Sequence, residues 1–430
     1  MTEIRTQDNK KEYTCAEAPE RAVLAAADTG EYDVDASLAE LRALCETAGA
    51  VVLAEVVQRR EKPDPAGYLG AGKLTEAREL CERLDADVLI VDDELTGSVQ
   101  RNMEKAVGVD VVDRTALILD IFARAATTAE GKLQVELAQL NYRLPRLAGS
   151  GAALSRIGGS ASGGAGGRIG TRGPGETKLE NDRRYVRSRI TLLKDRLAEV
   201  EKRRAVTRTR RGKTGVPVVS LVGYTNVGKS SLLNALTGAG VLAADKLFAT
   251  LDPTVRQLML GDLQQIVLVD TVGFVSRLPH NLVEAFKSTL EEIRYSDLIV
   301  EVLDASSAAW PEQQKVTEDV IAQLGGGDIP RVVVFNKCDL VDTAGALPGL
   351  PVSAATGAGL DELCALLAKT LAERVVRCVL KLPFDQLPLL AYIRARGNVL
   401  SEEYMPDGVV VTATVERAAY AKVKPYVVGV

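Results

Sequence analysis

The chain has 430 residues, of which 46% are apolar, and its formal net charge is −5. A prior of about 100–200 residues per domain predicts two to four domains, and so large an apolar fraction excludes a chain that is disordered throughout. No apolar run approaches the roughly eighteen residues of a membrane helix, and the N-terminus is polar rather than signal-like, so we expect no membrane insertion.

Short apolar runs alternate with helical patterns in the N-terminal quarter. The runs predicted to be strands are Arg21 to Ala27, Val51 to Val57, Val88 to Val91 and Val109 to Val112. The helical patterns between them are Leu38 to Thr47, Lys73 to Leu84 and Thr96 to Ala106. Such alternation predicts an open parallel sheet. A glycine cluster, Gly67 to Gly72, lacks the full spacing of a phosphate-binding loop, which favours a tight turn over a phosphate contact.

Two long helical patterns flank a glycine-rich segment. The first runs from Leu117 to Leu147, and the second begins near Glu176 and keeps a heptad seam to about Arg204. Residues 149–175 between them hold eleven glycines and the arginines Arg156, Arg168 and Arg172. We interpret the region as a helical hairpin with a basic loop at its tip. A disordered interdomain linker is the alternative.

The positive charge is concentrated in this region. Residues 143–213 contain nineteen Lys and Arg against six Asp and Glu, a net +13 in a chain whose total is −5. A segregated basic block of this size is typical of a protein that binds a polyanion. The alternative is a solvated helix whose charges only keep it soluble.

A phosphate-binding loop, G-Y-T-N-V-G-K-S, follows the apolar run Val218 to Val222 and precedes a helix predicted at Ser231 to Thr237. In this context the backbone N–H groups wrap a triphosphate at the helix N-terminus. Lys229 is predicted to reach the outer phosphates, and Ser230 to bind Mg²⁺. The residues expected to contact nucleotide are Gly223, Tyr224, Thr225, Asn226, Val227, Gly228, Lys229, Ser230 and Ser231.

Three further motifs indicate that the nucleotide is GTP or GDP. In Asn336-Lys337-Cys338-Asp339, the carboxylate of Asp339 can accept hydrogen bonds from guanine N1 and N2, a donor pair that adenine lacks. The predicted strand ending in Asp270-Thr271-Val272-Gly273 delivers Asp270 to the metal and the N–H of Gly273 to the γ-phosphate. The residues expected to close the base pocket are Ser353, Ala354 and Ala355. Four ordered motifs favour a translation-factor-class GTPase over a chance match or a P-loop ATPase.

These motifs, with Glu130 to Leu140, Gly170 to Thr177 and Phe248-Ala249-Thr250-Leu251-Asp252, resemble HflX, a family of ribosome-associated GTPases. The resemblance covers nearly the whole chain from about residue 20. It implies GTP hydrolysis and binding to the large ribosomal subunit and, in bacterial members, splitting of stalled ribosomes under stress. Flexible arginines in the glycine-rich loop agree with contact to ribosomal RNA.

The resemblance also assigns roles in the chemistry. The segment from Phe248 to Asp252, here called the switch segment, is expected to order when a γ-phosphate is present and to supply Thr250 as a second metal ligand. The expected metal set is Ser230, Thr250 and Asp270, and the expected catalytic set is Lys229, Thr250 and Gly273.

Two positions bear on the rate of hydrolysis. Phe274 stands where other GTPases place a water-orienting Gln, and a benzyl side chain cannot position a nucleophile, so we expect hydrolysis to be slow without the ribosome. A core aromatic is the alternative reading of Phe274, and both can hold. Asn226 resembles the asparagine of potassium-stimulated GTPases and raises K⁺ as a further cofactor.

The expected fold class is α/β, with an N-terminal parallel-sheet α/β subdomain and helical hairpin, a Ras-like P-loop GTPase domain, and a small α+β C-terminal domain. The predicted ranges are a flexible N-terminus at 1–20, the α/β subdomain at 21–115, the hairpin at 116–206, a linker at 207–215, the GTPase domain at 216–375 and the C-terminal domain at 376–430. The C-terminal pattern, from Arg377 to Glu416, is strand, helix, strand and strand.

We therefore expect a GTP-hydrolysing protein, a monomer, that binds the large ribosomal subunit and its RNA through the basic loop and splits or rescues stalled ribosomes. The alternative is a nucleotide-switch module for another RNA or protein partner, in which hydrolysis is incidental. Six scattered cysteines without a C-x-x-C pair fit reduced thiols. The expected localisation is cytoplasmic, partly at the ribosome or a membrane surface.

Overall fold

The computed structural model describes residues 19–147, 174–214, 216–238, 247–248, 254–260, 264–277, 279, 282, 292–342, 347–372 and 375–429. Two compact units are present, one ending at Arg114 and the other beginning at Thr115. Within the described residues, no helix is long and apolar enough to cross a membrane.

The first unit is a parallel α/β sheet, as the alternation predicted. Its elements are β1 (Arg21–Asp28), α1 (Val34–Ala48), β2 (Val51–Arg59), α2 (Ala71–Leu84), β3 (Val88–Val91), α3 (Gly97–Val107) and β4 (Asp110–Asp113). The strands pair in the order β2-β1-β3-β4, all parallel. Strand β1 is buried from Ala22 to Ala27 because helices cover both faces of such a sheet.

The glycine cluster of this unit forms a turn before α2. Asp64 and Tyr68 exchange two backbone hydrogen bonds of 2.8 Å, and Gly70 occupies the N-cap of α2. Tyr68 is left-handed, with φ of 62°, and its hydroxyl accepts from the N–H of Ala27 and donates to Asp93. The tyrosine therefore joins the ends of β1 and β3.

The predicted helical hairpin consists of α4 (Arg114–Ala125), α5 (Ala129–Leu147) and α6 (Pro174–Thr214). Leu137 of α5 packs with Ile190 and Leu193 of α6, which belong to the predicted seam. Arg189 forms a two-point ion pair with Glu136. Of the basic loop at 149–175, only Pro174 and Gly175 lie among the described residues.

Two details of this region go beyond the sequence predictions. The single helical stretch from Leu117 to Leu147 is interrupted after Ala125, because the hydroxyl of Thr128 accepts from the N–H of Gly131 and starts a new helix. The predicted linker at 207–215 is helical as far as Thr214. After Pro174 at the start of the helix, the next proline is Pro217, so no proline interrupts the helix before Thr214.

The GTPase domain is a six-stranded sheet. Its elements are β5 (Val218–Gly223), α7 (Lys229–Thr237), β6 (Thr254–Leu260), β7 (Gln264–Asp270), β8 (Leu298–Asp304), α8 (Trp310–Gln323), β9 (Arg331–Asn336), β10 (Leu350–Pro351) and α9 (Leu360–Ala372). The order is β10-β9-β8-β5-β7-β6, and only β6 is antiparallel to its neighbour among these strands. The sequence analysis did not identify β8 or α8.

The C-terminal part is a small antiparallel sheet with helices. It consists of β11 (Val375–Leu382), α10 (Leu387–Arg396), β12 (Gly397–Met405), β13 (Gly408–Glu416), α11 (Arg417–Val423) and β14 (Val427–Gly429). The strand order is β12-β13-β11-β14. The predicted strand, helix and two strands are present, and α11 and β14 complete a β-α-β-β-α-β unit that the sequence analysis only partly recognised.

Candidate nucleotide site

The phosphate-binding loop connects β5 to α7, and its backbone has room only for glycine at two positions. A Cβ on Gly223 would lie 2.2 Å from the carbonyl oxygen of Val302, and one on Gly228 would lie 2.3 Å from Nδ2 of Asn336. Asn226 is exposed and left-handed, with φ of 61°. A glycine-rich loop of this kind before a helix is the arrangement that presents backbone N–H groups to a phosphate.

Lys229 is buried at the start of α7. Its Nζ donates to the carbonyl oxygens of Gly223, at 3.1 Å, and Tyr224, at 2.7 Å. Burial lowers the pKa of the Lys229 ammonium to about 8, and the carboxylate of Asp270 opposes the shift. An anion beside the ammonium would stabilise its charged form further.

The two predicted metal ligands among the described residues lie together. The hydroxyl of Ser230 donates to Oδ2 of Asp270 over 2.6 Å, and Asp270 is fully buried at the end of β7. A hydroxyl and a carboxylate side by side are hard oxygen donors of the kind that Mg²⁺ prefers. The pair would therefore fit a magnesium ion.

Gly273 lies against the phosphate-binding loop. A Cβ there would be 2.8 Å from Cα of Thr225 and 2.9 Å from Nζ of Lys229, so a larger residue would displace both. Thr271, two residues earlier, is held by a 2.7 Å hydrogen bond from its hydroxyl to the carbonyl of Leu221. Gly273 therefore lies directly against both the phosphate-binding loop and the Lys229 ammonium.

Backbone pairing extends the contact beyond Gly273. The N–H of Thr225 donates to the carbonyl of Phe274 at 2.7 Å, and the N–H of Phe274 donates to Gly223 at 3.2 Å. The hydroxyl of Tyr224 accepts from the N–H of Ser276. Phe274 is 2% exposed, so its ring belongs to the core and is no water-positioning group.

The predicted base pocket is joined to the phosphate-binding loop by Asn336. Its Nδ2 donates to the carbonyl of Val227 at 2.9 Å, and its Oδ1 accepts from the N–H of Ala354 at 3.0 Å. Asp339 is exposed, on a short 3-10 helix after β9. The hydroxyl of Ser353 accepts from the N–H of Thr356, which fixes the turn around Ala354.

Lys337 forms a contact that the sequence analysis missed. Its Nζ donates to Oδ2 of Asp304 at 2.6 Å, and Asp304 ends β8. The lysine is left-handed, with φ of 63°. The signal was available in the sequence, since an apolar run ending in Asp precedes the N-K-x-D motif by one strand.

The switch segment is only partly described. Phe248 is buried, with φ of 55°, and its ring contacts Phe122 of α4. The other predicted residues of the segment, Ala249, Thr250, Leu251 and Asp252, lie outside the described residues.

Four family models match successive parts of the chain. They are GTP-binding GTPase N-terminal over residues 35–123, GTP-binding GTPase Middle Region over 125–211, 50S ribosome-binding GTPase over 218–337 and HflX C-terminal domain over 341–421. The GTPase HflX of Caldanaerobacter subterraneus subsp. tengcongensis is 46% identical over 412 residues, which are 95% of this chain and 94% of that protein. The chain belongs to the HflX family of GTPases.

A second curated relative and a solved structure are also similar to this chain. The GTPase HflX of Lacrimispora saccharolytica is 48% identical over 412 residues, 94% of this chain and 96% of that protein. A solved GTP-binding protein of Sulfolobus solfataricus in complex with GDP is 24% identical, covers 82% of this chain and 99% of its own, and has a TM-score of 0.43. Membership of HflX confirms the resemblance seen in the sequence and, with it, a GTP-binding phosphate-loop domain and GTPase activity.

Proposed function

We propose that this HflX protein hydrolyses GTP at the site between β5 and β7 and uses the nucleotide to control its binding to the large ribosomal subunit. The observation that carries the proposal is the convergence of Lys229, Gly273 and the Ser230–Asp270 pair on one point at the N-terminus of α7. A lysine, a backbone N–H and two hard oxygen donors are the groups that phosphoryl transfer from a nucleoside triphosphate requires.

The reaction transfers the γ-phosphoryl group to water. The water oxygen forms a bond to the γ-phosphorus, the bond from that phosphorus to the β–γ bridging oxygen breaks, and the proton of the water passes to the released phosphate. Lys229 compensates the charge on the phosphates, and the N–H of Gly273 donates to the γ-phosphate. Ser230, Asp270 and Thr250 would hold Mg²⁺, which neutralises charge on the β- and γ-oxygens.

Base selection rests on Asp339. Asp339 is exposed on the 3-10 helix that follows β9, and Asn336 at the end of β9 is hydrogen-bonded to both the phosphate-binding loop and Ala354. The carboxylate accepts from guanine N1 and N2. The amide oxygen of Asn226, which is exposed and left-handed, would be the group that holds K⁺.

The ribosomal partner is supported by the charge of the hairpin. The exposed basic residues of α6 include Arg184, Arg187, Lys194 and Lys202, and the arginine-bearing segment 149–175 precedes them in the sequence. We propose that this surface and the loop bind ribosomal RNA of the large subunit, where counterion release supplies affinity. The outcome proposed for the cell is the splitting or rescue of stalled ribosomes.

Cosedimentation with purified large subunits tests the proposal. Binding with a non-hydrolysable GTP analogue should exceed binding with GDP, and raising the salt concentration should weaken it steeply. Binding that does not depend on the nucleotide would contradict the proposed control. Equally tight binding to an unrelated RNA as long as the large-subunit RNA would favour a general RNA-binding module.

A further inference from the structure

The carboxylate of Asp304, at the end of β8, has no role in the proposed chemistry, yet both of its oxygens are hydrogen-bonded. Its Oδ1 accepts from the backbone N–H of Ser306 at 2.9 Å and from the hydroxyl of the same serine at 2.6 Å. Its Oδ2 accepts from Nζ of Lys337 at 2.6 Å. The side chain of Asp304 is 14% exposed, so this ion pair lies largely out of water, where charged hydrogen bonds are stronger.

The strand end that carries Asp304 is paired with the strand end that begins the N-K-x-D motif. Asp304 stands opposite Asn336 in the parallel pairing of β8 and β9, and the N–H of Ala305 donates to the carbonyl of Asn336 at 2.8 Å. Asn336 is buried, and its amide group is hydrogen-bonded to both Val227 and Ala354. The carboxylate of Asp304 is therefore fixed relative to the phosphate-binding loop.

The turn that carries Asp339 depends on few contacts. Asp339 is exposed, so packing does not hold its side chain. The turn begins at Lys337, which is left-handed with φ of 63° and whose carbonyl accepts from the N–H three residues later at 3.0 Å. A bulky residue keeps this conformation only where its surroundings enforce it. The N–H of Cys338 donates to the carbonyl of Val352 at 3.1 Å, and the ion pair with Asp304 fixes the side chain of the left-handed lysine itself.

We propose that Asp304 is a positioning residue for base selection, because its ion pair with Lys337 holds the turn that presents the carboxylate of Asp339 to guanine. The inference rests on the proposed function, in which Asp339 accepts from guanine N1 and N2, and deepens it by naming what orients that carboxylate. Asp304 acts through Lys337 and Asp339 rather than by touching the nucleotide. Without the ion pair the carboxylate of Asp339 is less well ordered in advance, and its two-point contact with guanine weakens.

The test is the preference for GDP over inosine diphosphate, measured as the ratio of their equilibrium dissociation constants. Inosine keeps the N1–H of guanine and lacks its N2 amino group, so the ratio reports the second hydrogen bond to Asp339. Wild-type protein should prefer GDP at least about tenfold, because the acceptor of that bond is charged. Asp304→Asn keeps the size and the acceptor for Ser306 but places an NH₂ group against the ammonium of Lys337. It should reduce the preference at least about threefold, whereas Asp319→Asn, an exposed change on α8, should not.

Two further variants complete the experiment. Lys337→Met removes the same ion pair from the other side and should reduce the preference by a similar factor, which keeps the inference testable if Asp304→Asn does not fold. Asp304→Asn combined with Asp339→Asn should show the same preference as Asp339→Asn alone, because a positioning residue has no effect once the group that it positions is removed.

Several results would overturn the assignment. Equal weakening of GDP and inosine diphosphate binding by Asp304→Asn would make Asp304 a structural residue of the domain. An unchanged preference in Asp304→Asn and in Lys337→Met would show that the ion pair does not orient Asp339. A further change of preference in the double variant would show that Asp304 acts by another route. If Asp339→Asn itself keeps the wild-type preference, the proposed base pocket is wrong, which is a failure of the proposed function.

Discussion

The ring of Phe248 packs edge-on against the ring of Phe122, with centroids 4.6 Å apart and planes inclined by 75°. Phe248 begins the switch segment, and Phe122 lies in α4, the first helix of the hairpin region. Both rings are buried, and Phe248 adopts a φ of 55°, which costs a bulky residue about 1–3 kcal/mol. The nucleotide-binding domain is therefore joined to the helical region by a contact at the switch segment.

The aromatic contact should be measurable as a coupling energy. In a double-mutant cycle of Phe122→Leu and Phe248→Leu, the two losses in unfolding free energy should be non-additive by about 0.5–1.5 kcal/mol. Denaturant unfolding of the four proteins gives the value. As a control, Phe122→Leu combined with Phe335→Leu should be additive, because the ring of Phe335 packs against Trp310 instead. Additivity in the first cycle would show that the contact contributes nothing.

Asp339 should determine the choice of base. Replacing it with Asn exchanges one acceptor oxygen for an NH₂ donor at the position that faces guanine N1 and N2. Nucleotide preference should therefore shift from GTP toward xanthosine triphosphate. Competition between the two nucleotides in equilibrium binding measures the shift. Asp342→Asn, an equally exposed change three residues away, should retain the preference for GTP. Tight GTP binding by Asp339→Asn would contradict the assigned base pocket.

Glu301 should make stability depend on pH. Its side chain is 1% exposed in β8, burial raises the pKa of its carboxyl from 4.5 to about 7, and Arg331, 3.9 Å away, opposes the shift while Glu318 adds to it. The folded protein then holds a proton that the unfolded chain releases. The contribution of Glu301 to the free energy of unfolding is accordingly greatest below pH 4.5, and it is lost as the pH rises to 7.

The loss attributable to Glu301 should be about 3 kcal/mol of unfolding free energy across this window. Glu301→Gln should remove that part of the pH dependence, and Glu312→Gln, an exposed change on α8, should not. Unfolding free energies at pH 5 and pH 8 give the comparison. Equal pH dependence in wild type and Glu301→Gln would show that the buried carboxyl does not titrate in this range.

The arginines of the glycine-rich loop should supply part of the ribosome affinity. Changing Arg156, Arg168 and Arg172 to Gln should weaken binding to large subunits and reduce the slope of affinity against salt concentration. Each arginine that no longer contacts a phosphate lowers the number of counterions released on binding. GTP affinity should not change. The control triple, Arg59, Lys62 and Arg83 to Gln, removes the same charge from exposed positions of the first unit. An unchanged slope of affinity against salt concentration would show that the loop does not contact RNA phosphates and only connects the two helices.

The sequence predicted the parts of this fold in which one residue type is required. Gly223, Gly228 and Gly273 are needed where no Cβ fits, so their spacing alone located the phosphate-binding loop and the strand end beside it. The break between α4 and α5 was missed because a single Thr128 side chain decides it, and threonine is also common within helices. The predicted linker at 207–215 is helical as far as Thr214, and a basic stretch with few apolar residues gives no periodicity from which this helix could be predicted.

Contacts between distant parts of the chain could not be predicted in the same way. Phe122 and Phe248 are far apart in sequence, and no local sequence pattern at either position predicts that their rings are in contact. That none of the described residues makes a hydrogen bond with the buried hydroxyl of Thr225 is known only from the coordinates around the loop. The side-chain partner of Lys337, Asp304, belongs to the strand that the sequence analysis did not identify.

GTP turnover by the wild-type protein, alone and with purified large ribosomal subunits, in potassium and in sodium, tests the central claim most directly. With Phe274 in the core at the position of a water-orienting Gln, the isolated protein should hydrolyse GTP slowly. Large subunits should accelerate it by ordering the switch segment, and potassium should support a higher rate than sodium if Asn226 holds the cation. Fast turnover by the protein alone, with no response to ribosomes or to the cation, would contradict a ribosome-dependent GTPase.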